Sequence, residues 1–162
     1  LVLVFFGVVP VYFTWYVCIP KALQGFNVWA LTAGIGCGLV IDTLLLVNNY
    51  RDRDNDKRDG KITLVVRIGA RRTEQLYLYL PTLAEIIIFS IVMFNTSKPL
   101  LAAAIFIVLS ALYFIPHTRT TNKLVAINHG KALNMVLGMT ARDMLVFGLV
   151  SALQIILLYN PV

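Results

Sequence analysis

A charged stretch at positions 51–61 combines four aspartates with five basic side chains. Asp52 and Asp56 are four residues apart, so on a helix their side chains lie on one face, about one turn from each other. Carboxylates placed in this way can share one hard cation, and Mg²⁺ prefers a few carboxylates together with phosphate oxygens and water. Arg and Lys supply planar forks and point charges for phosphate. The stretch predicts a metal-bridged phosphate-ester site, and its alternative is a solvated helix end.

Two polar residues upstream of this stretch, Asp42 and Asn49, share the helical face of its aspartates. Asp42, Asn49, Asp52 and Asp56 fall within an arc of about 80° if each residue turns a helix by about 100°. A polar stripe therefore runs from an apolar segment out to the charged stretch. In membrane proteins such a stripe faces a bundle interior or a wet cavity.

The segments that must position this stretch are strongly apolar. Of the 162 residues, 59% are apolar and 14% are charged, against roughly 45–50% and about 25% in soluble domains. A helix needs about 20 residues to cross a hydrocarbon core, and a lipid-exposed sheet edge leaves its backbone unpaired. We therefore predict an all-α, polytopic transmembrane bundle with about five spans, at 1–19, 28–50, 76–94, 99–115 and 143–159.

The basic residues lie mostly in two of the connecting stretches. Positions 51–75 and 116–142, both predicted as loops, hold 12 of the 14 Lys and Arg residues, and Lys21 and Lys98 are on the opposite side. The positive-inside rule makes the charged side cytoplasmic. Topology and contact with anionic lipid thus explain the net charge of +6 without a nucleic-acid partner.

The run from Asn48 to Gly69 reads N-N-Y-R-D-R-D-N-D-K-R-D-G-K-I-T-L-V-V-R-I-G. It resembles the second aspartate-rich motif of the UbiA superfamily of intramembrane prenyltransferases, and most closely the branch that prenylates 1,4-dihydroxy-2-naphthoate in menaquinone biosynthesis. The five segments resemble spans five to nine of that nine-helix fold, and T-A-R before F-G at 140–148 resembles its last helix. The family's first aspartate motif has no counterpart here. We therefore expect 1–162 to be a single transmembrane domain, the C-terminal portion of such an enzyme, and inactive alone.

The resemblance implies a chemistry for the charged stretch. Mg²⁺ would hold a polyprenyl diphosphate between two aspartate motifs, which lie on cytoplasmic loops of the protein. The protein itself would lie in a bacterial inner membrane. Transfer to an electron-rich aromatic ring would release diphosphate, and in the naphthoate branch also carbon dioxide, to give demethylmenaquinone. The implied roles are metal binding by Asp52 and Asp56, contact with diphosphate oxygens by Lys61 and Arg67, and lining or bracing of the substrate site by Asn48, Asn49 and Arg51.

Two other functions share some of these features. One is prenyl transfer to a different aromatic or chlorin acceptor, and the other is a bundle that transports cations along the polar stripe. Lys61 and Arg67 argue against transport, because nearby cations raise the barrier to a permeating cation. The sequence leaves open the roles of four further acids, which are Asp42, Asp54, Asp59 and Glu85.

Other notable residues have structural interpretations. Gly34 and Gly38 form a small-x-x-x-small pair that predicts close helix packing. Both cysteines are expected to be small buried hydrophobes. His117 and His129 lie in a predicted loop without a carboxylate partner, so neither a metal pair nor a catalytic triad is predicted for them.

Overall fold

The computed structural model describes residues 1–158, apart from the side chain of Leu23. The described part contains helices and no strands. A π-helical turn and a 3₁₀ turn flank the first α-helix. The α-helices are α1 (Val9–Cys18), α2 (Val28–Arg58), α3 (Leu64–Ile68), α4 (Ala70–Phe94), α5 (Pro99–Ile127) and α6 (Leu133–Leu158).

Four of these helices are long and apolar enough to cross a membrane, namely α2, α4, α5 and α6. The fifth predicted segment is a shorter apolar helix, Leu3–Cys18. The chain is therefore an integral, multi-pass membrane protein with the predicted all-α architecture. Position 159, the predicted end of the last segment, lies outside the described residues.

The helices are longer than the apolar segments, and the predicted loop at 116–142 is wrong. α5 continues to Ile127 and α6 begins at Leu133, which leaves only a short turn at 128–132. Hydropathy marks the part of a helix that meets lipid. A helix continues beyond that part where one of its faces packs on neighbours, as the buried Leu124 and Leu133 do here. The predicted loop at 51–75 is also wrong over most of its length, because α2 extends to Arg58, α3 lies within the range and α4 begins at Ala70.

Glycines allow the N-terminal helix to lie directly on α2. A Cβ atom on Gly38 would sit 2.6 Å from the carbonyl oxygen of Leu3, and one on Gly34 would sit 2.8 Å from the Cα of Val8. Side chains at these positions would force the two backbones apart. The close packing predicted for Gly34 and Gly38 is confirmed. The prediction for the cysteines is wrong at Cys18, which is exposed.

Glu85 joins three helices within the bundle. Its Oε2 atom accepts hydrogen bonds from the Ser110 hydroxyl of α5 at 2.8 Å and from Nε2 of Gln154 of α6 at 3.5 Å. All three side chains are buried. Because an acid in an apolar span needs a partner, this contact gives Glu85 a structural role.

A second buried polar cluster lies nearer the charged ends of α5 and α6. The Asp143 carboxylate accepts hydrogen bonds from the Thr120 hydroxyl at 2.5 Å and from Nη2 of Arg142 at 2.7 Å. Nδ1 of His117 lies 4.0 Å from the same carboxylate. The prediction that His117 lacks a carboxylate partner is wrong, because α5 and α6 are helical here and place the two side chains face to face.

Candidate functional site

The charged end of α2 finishes in a turn that reverses the chain. Gly60 adopts a φ of +73°, which glycine adopts at little steric cost. The backbone N–H of Lys61 then donates to the carbonyl oxygen of Asp56 at 2.8 Å. As a result Nζ of Lys61 lies 3.2 Å from Oδ1 of Asp56. The order Asp-x-x-x-Gly-Lys thus places a flexible cation beside a carboxylate.

Asp56 is the most enclosed of the acids in this stretch, with 8% of its surface exposed. Its Oδ1 atom is paired with Lys61, whereas its Oδ2 atom is buried and has no hydrogen-bond partner. A buried carboxylate oxygen without a donor carries a large desolvation cost. A cation bound at this oxygen would remove that cost.

Asp52 lies one helical turn before Asp56, beyond the apolar part of α2. Both of its oxygens accept hydrogen bonds from Arg51, Oδ1 from Nε at 2.8 Å and Oδ2 from Nη2 at 2.7 Å. This two-point contact with a guanidinium lowers the pKa of the Asp52 carboxyl. Asp52 is therefore held in the ionised form that binds metals. Arg51 also donates to Oδ1 of Asn48 at 3.0 Å, so the structure brings Asn48, Arg51 and Asp52 together.

The carboxylate oxygens of Asp52 and Asp56 fit a magnesium ion that completes its coordination with oxygen atoms of the substrate. No group of three or more His, Cys, Asp or Glu side chains within the described range could hold a metal by itself. Asp52 and Asp56 are two carboxylates on one helix face, and one of their oxygens is an unpartnered buried atom. Mg²⁺ commonly binds one or two carboxylates and completes its octahedron with phosphate oxygens and water.

The remaining predicted site residues, Asn49 and Arg67, make no hydrogen bond to Asp52 or Asp56 within the described part of the chain. Asn49 borders a separate cavity of about 360 Å³ together with Asp42 and apolar residues that include Leu64 and Leu76. Arg67 is exposed on α3 and, across residues 1–158, donates no hydrogen bond to either aspartate. Its side chain is free to reach an anion, and its predicted role stays a prediction.

The acids whose roles the sequence leaves open differ in their exposure to solvent. Asp54 and Asp59 are exposed, and Asp59 makes only a loose contact with Arg58 at 3.9 Å. Asp54 is two residues from both Asp52 and Asp56, so on the continuous helix α2 it lies on a different face. Asp42 is half-buried and faces the same cavity as Asn49, which fits the predicted polar stripe.

Sequence reasoning missed the turn between α5 and α6. A polar cavity of about 470 Å³ separates this turn from α2, and its lining residues are Arg51, Asp52, Asn55, Gly130, Lys131 and Asn134. Oδ1 of Asn134 accepts a hydrogen bond from Nη1 of Arg51 at 2.9 Å. The turn contains the polar residues Asn128, Lys131 and Asn134, but nothing in the sequence indicates that they approach α2.

Comparison with known proteins supports the resemblance of this chain to the UbiA prenyltransferases. Several curated bacterial proteins named 1,4-dihydroxy-2-naphthoate octaprenyltransferase are similar to this chain. The protein of Mycobacterium tuberculosis (strain ATCC 25618 / H37Rv) is 40% identical over 88 residues, which are 54% of this chain and 29% of that protein. The protein of Escherichia coli (strain K12) is 38% identical over 68 residues, 42% of this chain and 21% of that protein. The protein of Haemophilus influenzae (strain ATCC 51907 / DSM 11121 / KW20 / Rd) is 39% identical over 69 residues, which are 43% of this chain and 21% of that protein.

The aligned part thus corresponds to between 21% and 29% of the length of these relatives. No solved structure matches the chain. A match to the UbiA prenyltransferase family covers residues 1–129, which include α1 to α5 and the whole aspartate motif. This chain therefore belongs to the UbiA prenyltransferase family.

Proposed function

We propose that this chain provides one half of the metal-diphosphate site of a prenyltransferase that uses 1,4-dihydroxy-2-naphthoate as acceptor. The observation that carries the proposal is the buried, unpartnered Oδ2 atom of Asp56, one helical turn from a second carboxylate. The other oxygen of Asp56, Oδ1, lies 3.2 Å from Nζ of Lys61. Family membership supports prenyl transfer as the reaction. The names of the similar bacterial proteins support the naphthoate acceptor.

The roles proposed for the site residues combine their surroundings with the family resemblance of the motif. Asp52 and Asp56 would hold Mg²⁺, which when bound acts as a Lewis acid toward the diphosphate leaving group. Lys61 and Arg67 bind diphosphate oxygens and neutralise the charge that develops as the allylic C–O bond breaks. Arg51 orients Asp52, and Asn48 orients Arg51. Asn49 lines the neighbouring cavity and would line or brace the substrate site.

The membrane setting fits a substrate with a long apolar tail. The charged end of α2 lies directly after its apolar part, so a diphosphate bound there leaves its prenyl chain at the level of the lipid. The concentration of Lys and Arg at this end places it on the cytoplasmic side by the positive-inside rule. We assign the protein to a bacterial cell membrane, because its similar proteins are bacterial and four of its helices are long and apolar enough to span a membrane.

The experiment uses membranes that carry the protein encoded by the complete reading frame to which these residues belong. They are supplied with Mg²⁺, a polyprenyl diphosphate and a panel of aromatic acids, and the products are identified by mass. We expect a prenylated naphthoquinol formed with loss of carbon dioxide. Asp52→Asn should abolish it, whereas Asp54→Asn, a matched change at an exposed aspartate two residues away, should preserve it.

Other outcomes would change the assignment in defined ways. Prenylation of a different aromatic or chlorin ring would keep the family chemistry and refute the naphthoate acceptor. Cation flux through reconstituted vesicles without diphosphate release would refute the enzyme. We expect the 162 residues alone to lack prenyl transfer, because the first aspartate motif has no counterpart in them.

A further inference from the structure

The turn between α5 and α6 is held against the charged end of α2 by side chains that lie 75 to 83 residues apart in sequence. Asn128 ends α5 with a φ of +59°. Its Oδ1 atom accepts a hydrogen bond from Nη2 of Arg53 at 2.8 Å and lies 3.0 Å from the Tyr50 hydroxyl oxygen. A positive φ is uncommon outside glycine, and asparagine tolerates it better than most residues. The contacts with α2 fix this conformation of the turn.

Arg51 connects the turn to the aspartate motif. Each of its three guanidinium nitrogens has an acceptor: Nε and Nη2 donate to Asp52, Nη2 also donates to Asn48, and Nη1 donates to Asn134 of α6 at 2.9 Å. Because the guanidinium is planar and its donors form a rigid fork, an acceptor at Nη1 fixes the plane in which the other nitrogens meet Asp52. Asn134 is therefore placed to hold the plane of the Arg51 guanidinium against Asp52.

The cavity between the turn and α2 has the charge of an anion site. One wall is formed by Arg51 and Asp52 with Asn55, and the other by Gly130 and Lys131 with Asn134. Two cations and one carboxylate surround a volume of about 470 Å³. The net positive charge of these side chains suits a polyanion, such as a diphosphate, that is bound to a divalent cation. A free divalent cation would instead meet two like charges.

We propose that the turn between α5 and α6 forms a wall of the diphosphate site, in which Asn134 positions Arg51 and thereby Asp52, and Lys131 contacts the diphosphate. The inference rests on the function proposed above and adds two residues outside the aspartate motif. Asn134 acts through Arg51 and is a positioning residue. Lys131 touches the substrate.

The competing explanation is that the turn only fastens α5 and α6 to α2. A fastening contact would change stability and leave the magnesium dependence of substrate binding unaltered. The two explanations therefore differ in a binding measurement, for which the chain offers matched variants. Lys123 is an exposed lysine of α5 outside the cavity and serves as the control for Lys131.

The experiment measures binding of a non-hydrolysable thiolo analogue of a prenyl diphosphate by calorimetry over a range of Mg²⁺ concentrations. It uses the purified protein encoded by the complete reading frame. The variants at the turn are Asn134→Leu, which removes the acceptor, Asn134→Asp, which keeps it, Lys131→Ala and its control Lys123→Ala. Arg51→Gln is measured alone and combined with Asn134→Leu, and Asp56→Asn tests the proposed function. Thermal unfolding of each variant reports its stability separately.

We expect Asn134→Leu to raise the Mg²⁺ concentration for half-maximal binding about tenfold, as for loss of a hydrogen bond to a charged group. Asn134→Asp should stay within about twofold of the unsubstituted protein. In the Arg51→Gln background, Asn134→Leu should add nothing, because its effect passes through Arg51. Lys131→Ala should weaken binding about five- to tenfold, and Lys123→Ala at most about twofold.

An unchanged Mg²⁺ dependence in Asn134→Leu, with only a lower unfolding temperature, would overturn the positioning role. Equal effects of Lys131→Ala and Lys123→Ala would overturn the contact with the diphosphate. If Asp56→Asn abolishes binding while the turn variants bind normally, this inference fails and the proposed function stands. Absence of Mg²⁺-dependent binding by the unsubstituted protein would refute both.

Discussion

Gly60 offers a way to displace Lys61 without touching any charged group. The residue has a φ of +73°, and a Cβ atom added there would meet nothing within 4 Å. The only consequence of Gly60→Ala is therefore backbone strain. An alanine in this left-handed region costs about 1 kcal/mol, and the strain is relieved if the turn opens and moves Lys61 away from Asp56.

The expected size of the effect follows from that cost. If about 1 kcal/mol of strain opposes the arrangement that binds diphosphate, affinity falls by at most about fivefold, since about 1.4 kcal/mol is tenfold. The KM for the polyprenyl diphosphate should rise by that factor, with little change in kcat at saturation. Gly60→Asn should give a smaller rise, because asparagine tolerates positive φ better than alanine.

Gly138→Ala is the matched control for this substitution. Gly138 lies within α6, and a Cβ atom there also meets nothing within 4 Å. The same chemical change should leave KM unaltered and stabilise the helix slightly. Steady-state kinetics with varied prenyl diphosphate measure both variants. Equal KM values for Gly60→Ala and the unsubstituted protein would refute the role given to the turn.

Two further predictions concern the bundle that carries the site. Glu85→Leu should lower the free energy of unfolding by about 1 to 2 kcal/mol, because Ser110 and Gln154 lose their acceptor. Glu85→Gln keeps an acceptor and should cost less than half of that; equal losses would mean that the charge matters and not the hydrogen bonds. Gly38→Val should separate the N-terminal helix from α2 and lower the unfolding temperature. The control Gly148→Val falls where a Cβ atom meets nothing, and a loss as large in this variant would contradict the packing argument.

The sequence predicted the helices of the bundle but not their full extent. Apolar runs mark where a helix must meet lipid, and all five predicted segments lie on helices in the described part. The polar extensions of α2, α5 and α6 carry no such signal, because their helical state depends on packing between buried residues such as Leu124 and Leu133. The predicted loop at 116–142 was wrong for this reason.

The site was predictable where its residues are close in sequence. The spacing of Asp52 and Asp56 on one helix face required only helical geometry, and the approach of Lys61 to Asp56 required only a turn at Gly60. The contact of Arg51 with Asn134 joins residues 83 positions apart, and a single sequence contains no signal for that approach.

The central claim is that the buried Asp56 holds the metal of a prenyl-diphosphate site. The most direct test is a Mg²⁺ titration of prenyl transfer to 1,4-dihydroxy-2-naphthoate by the protein from the complete reading frame, by Asp56→Asn and by Asp54→Asn. We predict that Asp54→Asn follows the unsubstituted protein and that Asp56→Asn, although folded, forms no product at any Mg²⁺ concentration. Product formation by Asp56→Asn with an unaltered Mg²⁺ dependence would contradict the claim.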